Sequence, residues 1–170
     1  MTGHSKPRIL AIAATLAVSI GCSRPTSPAS QQKIPTVTVV PSSGEGEGVS
    51  YVVTVTPGAQ RTIGLLMNKG IDARAACYIL YDVARNTFNL VNDSGIGSKM
   101  PGNGDSAVEN SQCALEALNT MADSLNGTLK LQFALTFKPA FAGGKFVYVY
   151  TEKPGTPGRF QAEGAWMVSQ

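Results

Sequence analysis

The chain has 170 residues, with 14 Lys and Arg against 11 Asp and Glu, 18 Gly, 10 Pro and 15% charged residues. That length suits one domain with a tail, and the glycine and proline content suits a turn-rich β domain. Lys6 and Arg8 supply two of the three surplus positive charges, leaving +1 of the +3 for the rest. A near-neutral chain without a basic run gives no electrostatic case for nucleic-acid binding.

Residues 1–21 have the parts of an export signal. Lys6 and Arg8 form a charged start, and residues 9–20 form an apolar stretch too short for a comfortable bilayer span. It ends at Val18-Ser19-Ile20-Gly21-Cys22. This segment resembles a bacterial lipobox, although Ser19 stands where Leu is usual and Ile20 where Ala or Ser is commoner. The resemblance implies a lipid on Cys22; the alternative is a chance cysteine in an ordinary signal peptide. Residues 22–33 are small, polar and Pro-containing, a composition that buries no core and reads as a flexible tether. The membrane is then the first partner, reached through the lipid anchor. Ser23 replaces the Asp that marks inner-membrane retention in many such lipoproteins, which points to the outer membrane. Without the lipid the protein would be periplasmic or secreted.

Three cysteines fit this scheme. With Cys22 lipidated, Cys77 and Cys113 remain as a pair in an oxidising compartment. A disulfide between them would close a loop of about 36 residues, worth about 3–4 kcal/mol in the chain-entropy model. Two buried free thiols are the alternative; a Cys–Cys metal site has neither a CxxC spacing nor a histidine to support it.

Residues 34–170 read as one globular domain of short strands between turn signals. Residues 34–41 and 49–56 are β-branched runs joined by a Gly- and Ser-rich connection. Residues 61–68 form a third, weaker strand. Residues 76–83 and 87–93 pair as a hairpin, with Cys77, Ile79 and Tyr81 on one face and Phe88 and Leu90 turned inward. Residues 94–111 are rich in Gly, Ser and Asn and read as a long mobile excursion. Between Gln112 and Leu125, the residues Leu115, Leu118, Met121, Ala122 and Leu125 recur near helical spacing. The strongest signal is residues 128–138, where Leu129, Leu131, Phe133, Leu135 and Phe137 alternate strictly with polar or small residues. Pro139 stops this strand. Gly143-Gly144 then turns the chain into residues 145–151, predicting a hairpin. Phe146, Tyr148 and Tyr150 share one face of that second strand, opposite Val147 and Val149. Residues 161–168 close the domain, with Trp166 in the core. The expected architecture is all-β: an antiparallel sandwich of eight or nine strands.

Several segments carry a resemblance. They are Ala76-Cys77-Tyr78 with Tyr81-Asp82, Leu90 with Asn92-Asp93, Asn110-Ser111-Gln112-Cys113, residues 134–143 (ALTFKPAFAG), and Gly164 with Trp166. Together they resemble an uncharacterised Ig-like β-sandwich module of acidobacterial secreted and surface proteins, over about residues 34–168. The resemblance implies an Ig-like sandwich, supports the Cys77–Cys113 pairing, and implies a short strand near Cys113 to Leu115. The chain departs from the family in the helix-prone segment after Cys113, where local propensity argues for a short helical turn after Leu115; the resemblance implies no catalytic activity.

Catalytic chemistry is sparsely provided. The single histidine, His4, lies in the leader, so His-based triads, dyads and zinc sites find no residue in the exported part. Asp82, Asp93, Asp105, Glu109 and Glu116 are candidates for a carboxylate pair acting on sugars, but no spacing forces two together. Asn92, Asp93, Ser94 and Gly95 with Asp105 make the one oxygen-rich set suited to Ca²⁺; an Asx-type turn accounts for the same residues, and no cofactor is expected. The leading expectation is therefore a non-enzymatic envelope lipoprotein that presents a binding or structural domain to a glycan or an envelope protein. Glycan binding by exposed aromatics is the best-defined variant, with Tyr78, Phe141 and Phe160 as candidates. The alternatives are an envelope hydrolase built on those carboxylates and an assembly subunit that lends an edge strand.

Overall fold

The computed structural model describes Met1 and residues 34–169. The leader, the lipobox with Cys22 and the tether at 22–33 lie outside the described residues. The strands are β1 (Thr36–Val40), β2 (Ser43–Gly46), β3 (Gly48–Thr56), β4 (Thr62–Asn68), β5 (Cys77–Asp82), β6 (Thr87–Val91), β7 (Ser98–Lys99), β8 (Ala107–Glu109), β9 (Cys113–Glu116), β10 (Met121–Leu125), β11 (Thr128–Phe137), β12 (Gly143–Glu152) and β13 (Arg159–Val168). One sheet runs β1-β3-β11-β9-β8, with β10 also paired to β11. The other runs β2-β13-β12-β4-β5-β6-β7. Pairing is antiparallel throughout except where β2 lies parallel to β13, so the second sheet is mixed. The described residues thus form an all-β, Ig-like sandwich of thirteen short strands, where eight or nine were expected.

Side-chain alternation explains how the sheets meet. Leu129, Leu131, Phe133, Leu135 and Phe137 of β11 point inward and are buried, as expected. Opposite them lie Ile63, Leu65 and Met67 of β4, Ile79 and Tyr81 of β5, and Val147 and Val149 of β12. Each such side chain contributes about 1.5–3 kcal/mol when fully buried. A slip of one residue in β11 would turn five of them to water, which holds the register. Trp166 is buried at the edge of this core. Its Nε1–H donates to the Gly46 carbonyl at 3.2 Å, and its ring meets Tyr51 edge-on.

The expected hairpin between the two strongest strands does not form. β11 pairs with β3, β9 and β10, whereas β12 pairs with β4 and β13. Pro139 ends the β11 ladder and opens a 3₁₀ turn, Pro139–Phe141. Phe141 is buried and packs on Phe137 at 5.8 Å, which anchors the turn to the core as the chain passes from one sheet to the other. The expected β5–β6 hairpin is present, with Tyr81 Oη donating to Asn86 Oδ1 at 2.9 Å across its turn.

Four strands lie where none was expected. β2 falls in the Gly-rich connection, and β7 and β8 fall in the 94–111 excursion. β10 occupies the helix-prone segment because Asn126 and Gly127, with φ of 51° and 74°, form a two-residue hairpin loop between Leu125 and Thr128. Positive φ at both loop residues matches the right-handed strand twist, and Asn-Gly is the pair that accepts it. β9 and β10 lie in succession along one edge of β11, and the residues between them bulge out as the 3₁₀ turn Ala117–Asn119. The short strand at Cys113 and the turn after Leu115 are thus both present.

Candidate functional site

Cys77 on β5 and Cys113 on β9 are fully buried and disulfide-bonded, with Cα atoms 5.6 Å apart. The bond ties the two sheets together, joining β5 of the second sheet to β9 of the first. Asn110 fastens the same place. Its amide donates to the carbonyls of Ala76 and Val91, both at 2.9 Å, and its Oδ1 accepts from the N–H groups of Gln112 and Cys113. Backbone from β6, β9 and the approach to β5 thereby converges on one side chain. Ser111 donates to Asp93 through both N–H and Oγ. The Asn110–Cys113 segment is therefore structural.

The candidate acids serve as separate local partners. Asp82 caps the Arg85 N–H and pairs with its guanidinium, and both hydrogen bonds hold its pKa below the usual carboxylate value. Asp93 accepts from Ser111, Asp105 accepts from the Gly102 N–H at 2.7 Å, Glu109 pairs with Lys138, and Glu116 accepts from Thr136 Oγ1 at 3.0 Å. Asn92 closes its own turn by accepting from Ser94 Oγ and the Gly97 N–H. Among the described residues no three His, Cys, Asp or Glu side chains gather in a group that could hold a metal ion.

The three candidate aromatics part company. Phe141 is not an exposed ring: it is 1% exposed, beneath the Lys145 ammonium, whose Nζ sits 4.6 Å from the ring centroid. Tyr78 and Phe160 lie together on the outer face of the second sheet, their centroids 6.1 Å apart. Tyr78 is largely covered there, because Gly64 on the neighbouring strand leaves room for its ring to lie flat across β4. Phe160 also packs on Tyr150 at 5.0 Å, and the row continues along β12 through Tyr148 to Phe146. Val147 and Val149 fill the core side of β12, so the aromatic side faces outward. Phe146 and Met167 are each about half exposed at one end of this face, at 52% and 51%. Alternation in residues 145–151 separates these two faces, but nothing local says which is covered.

These features define a class: an immunoglobulin-like β-sandwich cross-linked between its sheets, with an aromatic outer face. No family model matches the sequence, and no curated protein matches it. Among solved structures, murine CRIg is matched at 14% identity with a TM-score of 0.39, over 81% of this chain and 100% of that chain. A likeness so slight carries no weight, and the class rests on the order of strands in the two sheets.

Proposed function

We propose that this protein is a non-enzymatic envelope lipoprotein whose sandwich binds glycans on the outer face of its second sheet. The observation that carries the reading is the row Phe146, Tyr148, Tyr150 and Phe160, with Tyr78 behind it, on the side of the sheet turned away from the core. Aromatic rings offer flat apolar surface at low conformational cost, and their π faces attract the slightly positive C–H groups of a sugar ring. Phe146 and Met167 expose the end of this face, while Tyr148, Tyr150 and Phe160 are partly buried, Tyr148 and Phe160 in a cluster with Leu66 and Tyr78. An apolar patch of this kind turned away from the core marks an interaction surface. The lipobox-like leader and the tether support presentation at an outer membrane. The disulfide fits an oxidising compartment, and among the described residues no helix is long and apolar enough to cross a membrane.

The test is retention of the purified domain on immobilised envelope and plant polysaccharides, wild type against Phe146→Ala/Tyr148→Ala. The expected result is retention that the double variant loses. Retention by no polysaccharide, or equal retention of both proteins, refutes the reading. Intact mass of membrane-extracted protein tests the anchor: a start at Cys22 carrying acyl chains is expected, and an unmodified mature chain refutes it.

A further inference from the structure

An open cavity of 570 Å³ lies at the end of the sandwich where the β4–β5 connection meets the crossover from β11 to β12. Lys69, Arg74, Lys145, Asn68, Gln112 and Phe141 line it. The volume is that of a small-ligand site. Asn68 pairs across the sheet with Phe146, so the cavity opens beside the exposed end of the aromatic row.

Its electrostatics are unbalanced. Asp72, the one acid among the described lining residues, is engaged by Arg74, whose Nε and Nη2 bond both its oxygens. Lys145 is only 5% exposed, and its Nζ donates to the neutral carbonyls of Ala142, at 2.8 Å, and Gly143. The Phe141 ring face, 4.6 Å from Nζ, offsets part of the lost hydration, but an ammonium taken out of water still calls for an opposite charge, and the charged group that bears on Lys145 is Lys69, another cation. Burial and Lys69, in that order, lower the Lys145 pKa. An anion seated between the two lysines would relieve both effects. Gln112, whose Nε2 donates to Ser111 Oγ, and Asn68 add neutral amides to the rim.

We propose that this cavity is a carboxylate-binding subsite and that the glycan held on the aromatic face contains uronic acid. The proposal rests on the glycan reading for the polymer and on the cavity alone for the charge. The sugar ring would stack on Phe146 while its carboxylate enters between Lys69 and Lys145.

The probe is galacturonate titrated into the ¹⁵N-labelled domain, with galactose and sulfate as separate arms. Galacturonate should shift the amide signals of Lys69, Gly70 and Gln112, and galactose should leave them in place. The exposed variant Lys69→Gln should weaken binding about tenfold or more, the loss expected for a charge-assisted contact. Lys145→Met is the second variant, with Lys69→Gln preserving the test if burial makes Lys145 essential to folding. Equal shifts with galactose, no shift with any probe, or wild-type affinity in Lys69→Gln overturns the proposal. Sulfate binding as tightly as galacturonate overturns the uronate assignment and leaves a simple anion site. Retention on neutral polysaccharide that needs Phe146 but not Lys69 overturns this inference while leaving the glycan reading intact. Galacturonate binding without retention on any polymer overturns the glycan reading and the uronic-acid polymer with it, and leaves the cavity as a carboxylate site.

Discussion

Reducing the Cys77–Cys113 bond removes one covalent link and no atoms from the core, so it isolates what the cross-link does. The two half-cystines are 36 residues apart. Closing a loop of that length lowers the entropy of the unfolded chain by about 13 cal/mol/K, which is about 4 kcal/mol at 25 °C. The two thiols left behind are small and apolar enough to stay buried where they are, so little native-state loss is expected beside this. A domain with a stability of about 5–15 kcal/mol would lose a large part of it. Urea unfolding of oxidised protein and of protein refolded with the thiols reduced and kept reduced measures the effect. With a slope of about 2 kcal/mol/M, the midpoint should fall by about 2 M. The slope itself should rise, because the unlinked chain exposes more surface when it unfolds. A midpoint shift below about 0.5 M, with an unchanged slope, would refute the reasoning. It would mean that the unfolded chain is already constrained near this place.

Asn110→Ala leaves the Ala76 and Val91 carbonyls and two N–H groups without their partner; a loss of about 2–4 kcal/mol in urea unfolding is expected, and a loss under 0.5 kcal/mol would show that water replaces the side chain. At Gly64 an added Cβ would come within 2.8 Å of Tyr78 Cε2 and 3.2 Å of the Ile79 carbonyl. Gly64→Ala should therefore cost about 1–3 kcal/mol and alter the near-UV circular dichroism through Tyr78; an unchanged spectrum and stability would sink that account. The hydrogen bonds from Arg74 hold the exposed Asp72 carboxyl down to about 2, below its unfolded value of about 3.9. A depressed carboxylate stabilises the fold above the unfolded value, and the contribution disappears as pH falls through about 2. Carboxyl NMR should place the Asp72 midpoint near 2 in wild type and near the ordinary value in Arg74→Gln, and equal midpoints would remove the ion pair from the account.

Nine of the thirteen strand positions were legible because alternation is local, and the four missed strands β2, β7, β8 and β10 are short. Two residues per repeat put Leu129 to Phe137 on one face whatever the rest of the chain does, and β-branched runs mark β1 and β3 in the same way. The choice of partner strand was not legible. Pro139 ends a ladder in either topology, and only the pairings of β11 and β12 with strands of different sheets show the chain crossing over. At residues 121–125 the helical spacing was real, but propensity is a weak prior, and the Asn126-Gly127 turn with an open edge on β11 overrode it. That dipeptide is itself a hairpin signal, and it stood in the sequence beside the segment it reorganised.

The candidate site divides along the same line. By itself the sequence determined that Phe146, Tyr148 and Tyr150 share a side, that Cys77 and Cys113 are available as a pair, and that residues 34–170 contain no histidine. Only the tertiary structure decided that the valines of β12 face the core and leave the aromatics outside. It also decided that Phe141 is fully buried while Phe160 is only partly covered, and that Lys145 lies buried near Lys69 in a shared cavity. The physical reason is the range of the interactions. Alternation is written into neighbouring residues, whereas burial, charge imbalance and the cavity arise where segments distant in the chain come together, here the β4–β5 connection, Gln112 and the Pro139 crossover.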